Sequence, residues 1–179
     1  MYCRAVFLAF LLLGLMDVFP VTAETIDFKK FRAQFRCEVV NRLERIYGFG
    51  DRSKHQDRFL SITVPEHRHG YVQCMFYEGG RKLICEAASG FFLSKPEEPR
   101  LYRLSDEKID QLRSLGFSDD DSRGNFRHYS DVESSPNFNR IADFLLAALH
   151  QGYDANAQSR LQFNAPFAPN TATTCIPVG

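Results

Sequence analysis

Tyr71-Val72-Gln73-Cys74-Met75-Phe76-Tyr77-Glu78-Gly79-Gly80-Arg81-Lys82-Leu83-Ile84-Cys85-Glu86-Ala87-Ala88 is two β-rich runs around a pair of glycines. Adjacent glycines accept the positive φ of a primed two-residue turn, so the stretch predicts an antiparallel hairpin. With Gly79-Gly80 as the turn, opposed residues have numbers summing to 159, which sets Cys74 across from Cys85. Opposed Cα atoms in such a ladder lie about 4.5–5.5 Å apart, within the disulfide range of roughly 4.4–6.8 Å. Counting outward from the turn puts the pair at a hydrogen-bonded, wider position. The alternatives are two buried free thiols, or cysteines that pair elsewhere.

Upstream of the hairpin, Arg58 to Val64 reads as a strand stopped by Pro65, and Glu66-His67-Arg68-His69-Gly70 turns the chain. Downstream, Phe91-Phe92-Leu93 is expected to continue the pairing as a short fourth strand, and 94–99 to form a loop. Residues 26–47 carry a helical period, with Phe28, Phe31, Phe35, Val39, Leu43 and Ile46 on one stripe and Cys37 about opposite it. Thr25 or Asp27 caps the start and Gly48 ends it. A second helix is expected from Ser105 to Leu115, with Ser105 as N-cap, Ile109, Leu112 and Leu115 buried, and Gly116 as the C′ residue. Residues 118–134 read as polar and irregular. A third helix starts with Ser135 as N-cap and Pro136 in the first turn, buries Phe138, Ile141, Leu145 and Leu149, and ends at Gly152. Leu161-Gln162-Phe163 fits a last short strand, and the Pro-, Ala- and Thr-rich tail from Asn164 looks unpacked apart from Cys175. The expected fold class is α+β: a helix, a three- or four-stranded antiparallel meander, then two helices packed on the sheet.

The amino terminus has the layout of a secretory signal peptide. Arg4 precedes the apolar run Ala5 to Met16, Pro20 breaks it, and Val21-Thr22-Ala23 offers a small-residue cleavage site. A run of 12 residues before Asp17 is short of the roughly 20 that span a bilayer. The expected organisation is a signal peptide over 1–23, one domain over 24–163 and a tail over 164–179. Of 179 residues, 156 remain after cleavage, with four cysteines, 21 basic and 21 acidic side chains. A zero net charge argues against nucleic acid, whose binders carry a basic excess, and no stable membrane anchor is expected after cleavage. An even number of cysteines behind a leader reads as two disulfides in an oxidising compartment, periplasmic or secreted. If Cys74 pairs with Cys85, Cys37 pairs with Cys175, the tail crossing the outer face of the first helix. The alternative is a free or intermolecular Cys175. The lack of an Asn-x-Ser/Thr sequon favours a bacterial exported protein.

Tyr71-Val72-Gln73, Gly79-Gly80, Glu86, the run Leu104 to Leu112, Leu115-Gly116-Phe117, Asn125-Phe126 and the amphipathic segment 136–150 together resemble the TY-Chap domain family. That family is similar in fold to type III secretion chaperones and related to the YbjN-like proteins. The resemblance covers roughly residues 28–163. It implies an antiparallel sheet flanked by helices and a chaperone-like or adaptor role. Leu115-Gly116-Phe117 stands where the family pattern has Leu-Gly-Trp, and this chain has no Trp.

No catalytic motif is readable. The chain lacks a Gly-x-Ser-x-Gly elbow, a Gly-rich phosphate loop and a Cys-x-x-Cys pair. Glu66, His67 and His69 are too few ligands for a structural metal site, and Asp119-Asp120-Asp121 lacks the alternation, Gly and Glu of a calcium loop; no metal or cofactor is expected. Fourteen Phe remain after the leader. Most belong to core stripes, but Phe91, Phe92, Phe163 and Phe167 are candidates for an apolar groove near the sheet edge. The leading expectation is therefore a non-enzymatic, chaperone-like or adaptor domain that binds a protein or peptide, with Phe91 and Phe92 as docking residues. Two other readings stay open: an envelope enzyme whose site is assembled from scattered residues such as His128, Asp131 and Glu133, and a purely structural envelope protein.

Overall fold

In the computed structural model, residues 25–51, 58–67, 69–93, 103–118, 120, 124–168 and 175 are described. The expected leader, the loop over 94–99 and most of the acidic run Asp119-Asp120-Asp121 lie outside the described residues. The elements, in chain order, are α1 (Ile26–Gly48), β1 (Phe59–Val64), β2 (Gly70–Tyr77), β3 (Lys82–Ala87), α2 (Asp106–Ser114), β4 (Phe126–Asp131), α3 (Phe138–Tyr153) and β5 (Gln162–Asn164). The fold class is α+β. One five-stranded sheet has the order β4-β3-β2-β1-β5, with every neighbouring pair antiparallel.

The strand sequences alternate, and each strand sorts its side chains to two faces. Leu60, Ile62 and Val64 of β1, Val72, Cys74 and Phe76 of β2, and Leu83, Cys85 and Ala87 of β3 are all buried. The helices cover this inner face, with α3 packed across β2, α1 against β1, and α1 and α2 flanking α3. Helix α1 buries Phe31, Val39, Leu43 and Ile46, the expected stripe, but also Val40, Asn41 and Tyr47, so its buried arc is wider than a one-sided helix would need. Thr25 caps it through its hydroxyl, which accepts from Phe28 N–H. Its far end is satisfied by a buried cation: Arg58 donates to the carbonyls of Phe49 and Tyr47. A guanidinium at a helix carboxyl end gains from the partial negative charge there.

Six expectations need correction. Phe91–Leu93 forms a short helical turn, not a strand. The strand beside β3 is instead β4, inside the segment read as irregular. Its sequence Phe-Arg-His-Tyr-Ser-Asp buries only Phe126 fully, because it is an edge strand with one open face. Helix α3 is capped by Asn137, whose Oδ1 accepts from Arg140 N–H, two residues later than Ser135. It passes through Gly152 to Tyr153 and turns at Asp154, φ 55°. Gly152 serves helix contact: a Cβ there would lie 3.1 Å from a methyl carbon of Leu112 on α2. The tail is packed as far as Ala168, which is buried and accepts a hydrogen bond from Arg42.

The sixth correction concerns the hairpin turn. Gly79 and Gly80 have the expected positive φ, 70° and 86°, but Glu78 is left-handed as well, at 49°. Glu78 therefore leaves the ladder, and the last pair is Tyr77 with Lys82. The register keeps the sum of 159, and Cys74 does oppose Cys85. The hydrogen-bond parity shifts by one. Ala88 N–H donates to Tyr71 C=O at 3.1 Å, so the odd-numbered residues of β2 are the hydrogen-bonded ones. Cys74 and Cys85 occupy a non-hydrogen-bonded, narrow position, with Cα atoms 4.1 Å apart.

Candidate functional site

All three described α-helices lie on one side of the sheet; on the other, only the short turn Phe91–Leu93 stands at the Tyr71 end among the described helical segments. The register orders that open face into strips. The strip at one end runs Gln162, Thr63, Tyr71, Ala88. Beside it run Asn164, Ser61, Gln73, Glu86, Arg127, and then Phe59, Met75, Ile84, Tyr129. Tyr77, Lys82 and Asp131 complete the far corner. An apolar strip across four strands thus borders a polar one. Phe59, Met75 and Ile84 are half-buried, and Tyr129 is 57% exposed at the edge.

Two ion pairs fix the charges on this face. Arg127 Nε donates to Glu86 at 2.9 Å, and Lys82 meets Asp131 at 2.7 Å. The Glu86 carboxylate raises the pKa of Arg127, and Asp131 raises that of Lys82, so both cations hold their protons more firmly.

Phe91 and Phe92 stand at the end marked by Tyr71. Their rings meet edge-on at 5.1 Å, Phe91 half-buried and Phe92 68% exposed. Phe92 borders a small apolar cavity of about 200 Å³ with Thr63, Tyr71 and Asn125. A polar network holds this corner. Ser89 Oγ donates to Gly124 C=O at 2.7 Å, Ser89 N–H donates to Asn125 Oδ1, and Asn125 Nδ2 donates to the Tyr71 hydroxyl at 2.6 Å. Burial raises the Tyr71 pKa, so the phenol stays neutral. Phe163 and Phe167 do not join this corner. Phe163 points to the other side of the sheet, beneath the Arg42 guanidinium at 4.9 Å, and Phe167 stacks on Phe49. The four phenylalanines form no common groove, because alternation along β5 turns Phe163 inward.

The larger cleft, about 450 Å³, lies beneath the β4 edge and beside the first turns of α3. His128, Asp131 and Glu133 all line it, with Arg140, Ile141 and Phe144. His128 packs against Phe144 and Phe117, and its Nδ1 lies 2.9 Å from the Gly116 carbonyl. A carbonyl only accepts, so Nδ1 carries a proton in this contact. Among the described residues no carboxylate is hydrogen-bonded to the ring, and Asp131 is paired with Lys82. The cleft brings the three residues near one another without assembling a His–carboxylate dyad.

His67 packs edge-on against Tyr153, Glu66 accepts the Arg160 backbone N–H, and His69 is exposed with φ 65°. Among the described residues, no group of three His, Cys, Asp or Glu side chains is placed to hold a metal ion. The structure has disulfides between Cys74 and Cys85, sealed in the core, and between Cys37 and Cys175, on the outer side of α1. Among the described residues, no helix is long and apolar enough to cross a membrane. Two disulfides fit an oxidising, extracytoplasmic compartment. Comparison with protein families, with curated proteins and with solved structures finds no match for this chain.

Proposed function

We propose that this is an exported, non-enzymatic domain of chaperone-like or adaptor type that binds another polypeptide on the open face of its sheet. The observation that carries this reading is the strip Phe59, Met75, Ile84, Tyr129 in register across four strands, with no described helix over it. Soluble domains rarely leave a contiguous apolar strip on a formed sheet without a use for it. The exposed Phe92 adds a second apolar contact at the Tyr71 end, and the polar strip between them suits the backbone and polar side chains of an extended chain. The TY-Chap resemblance implies the same class of role. Export is supported by the amino-terminal layout and the two disulfides.

The test is suppression of aggregation of a chemically unfolded client protein by the protein lacking residues 1–23. The intact domain is expected to suppress it. Met75→Asp and Phe92→Asp are expected to abolish suppression while the circular dichroism spectrum is retained, since neither side chain is core. Full suppression by both variants overturns the reading.

A second reading rests on the His128 cleft, whose volume and lining imidazole suit a small-substrate enzyme. Turnover in a hydrolase screen that is lost in His128→Gln would favour it over the binding role.

A further inference from the structure

We propose that a second copy of this chain pairs with the first along β4, antiparallel, about a two-fold axis through Tyr129. The sheet would then run to ten strands. This inference does not rest on the client-binding reading.

No described strand pairs with the outer edge of β4. Val132 N–H donates to Arg81 C=O at 2.8 Å, so residues 126, 128, 130 and 132 direct their backbone toward β3. Arg127, Tyr129 and Asp131 therefore direct theirs outward. Ser118 meets Arg127 there: its N–H donates to the Arg127 carbonyl at 2.8 Å, and its Oγ accepts from Arg127 N–H at 3.0 Å. The outward groups of Tyr129 and Asp131 have no protein partner among the described residues. An open edge is a template for another strand. The opposite edge, β5, is only three residues long.

Charge and shape select the occupant and the register. With Tyr129 on the axis, opposed residues have numbers summing to 258, so Arg127 faces Asp131 of the second copy, and the reverse. Glu86 and Lys82 already flank these two residues within one chain. The pairing thus lines up Glu86, Arg127, then Asp131 and Lys82 of the other copy, in alternating sign, twice. Opposite charges across a strand pair stabilise it and like charges oppose it. The exposed Tyr129 ring meets its own copy, and the strip Phe59, Met75, Ile84, Tyr129 continues unbroken into its symmetry mate. A shift of one step, with Tyr129 opposite Asp131, loses both the aromatic pair and the Arg–Asp pairs. The cost is local: Ser118 releases the Arg127 backbone, and Asp131 of the other copy takes the same two hydrogen bonds.

The experiment uses the mature chain with both disulfides formed. Sedimentation at high micromolar concentration is expected to give twice the mass of one chain, and Arg127→Asp, which sets two acids opposite each other, is expected to give one. Register is read by cross-linking. Opposed Cα atoms at hydrogen-bonded positions lie about 5.5 Å apart, inside the disulfide range of roughly 4.4–6.8 Å. Tyr129→Cys chains are expected to link to themselves under mild oxidation. Arg127→Cys and Asp131→Cys chains are expected to link to each other when mixed, and neither to itself. A monomer at every concentration overturns the proposal, as does Tyr129→Cys linking no faster than Gln162→Cys on the far edge. A monomer that still suppresses client aggregation overturns the dimer alone.

Discussion

The two disulfides divide the work of holding this chain in opposite ways. Cys74–Cys85 joins neighbouring strands, spans 11 positions, and is sealed beneath the helices at 2% and 0% exposure. Cys37–Cys175 spans 138 positions and ties a tail to the outer side of α1, half-buried at both ends. The first sits where ladder and core already fix the chain; the second restrains a tail also held by Arg42 to Ala168, by Phe167 stacked on Phe49 and by Cys175 N–H to Asn41 Oδ1. The contrast teaches that loop length and burial are separate quantities. In the chain-entropy account the long loop restrains the unfolded chain more, whereas burial protects the short one from reductant.

The largest expected effect breaks the long loop. Cys37→Ala with Cys175→Ala should lower unfolding free energy by up to about 5 kcal/mol, the chain-entropy value for a loop of this size, measured by urea denaturation. Cys74→Ala with Cys85→Ala should cost about 3 kcal/mol on the same account. If the second pair costs more than the first, packing of the sulfurs in the core outranks loop closure. The same contrast is sharpened by rate. A low concentration of dithiothreitol followed by alkylation and peptide mass spectrometry should label Cys37 and Cys175 before Cys74 and Cys85, because thiolate attack needs access. Equal labelling would mean that the sheet opens as readily as the tail lifts. The smallest effect tests the tail's anchor: Asn41→Ala, which removes the buried acceptor of the Cys175 N–H, should cost about 1 kcal/mol. In the Cys37→Ala, Cys175→Ala background that cost should vanish, since the free tail no longer holds the partner in place.

Much of the fold was legible because its signals are local. The glycine pair and the alternation around it define the hairpin, and the 3.6-residue period defines α1 and α3. Ser105 and Gly116 mark both ends of α2 through capping groups that act within one turn. Strand β4 was not legible. As an edge strand with one open face it needs only Phe126 fully buried, so Arg127, Tyr129 and Asp131 read as loop polarity. Phe91 and Phe92 had the β-forming composition of a strand, but the position beside β3 is taken by β4, and they close into a turn instead. Of the candidate site, Phe92 was visible as an apolar residue outside the core stripes. The strip Phe59, Met75, Ile84, Tyr129 was not, because its members come from four strands and meet only through register.

By itself the sequence determined which residues face one another across the hairpin, Cys74 and Cys85 among them, because the glycine pair centres the connection and the flanking alternation aligns about it; the hydrogen-bond parity and the bond between the two sulfurs were decided by the folded turn. The sequence determined the helices and their buried stripes for the same reason: those choices are settled within a few residues. Tertiary structure alone decided which strands take the two edges of the meander, that the described α-helices gather on one face, and that none of them covers the other. Those outcomes follow from long-range pairing of segments far apart in the chain, Ser61 with Asn164 and Cys85 with His128 among them. Hydrophobic burial is roughly proportional to area and indifferent to sequence separation. No local pattern can therefore say which distant strand completes a sheet, or which side of it the helices will choose.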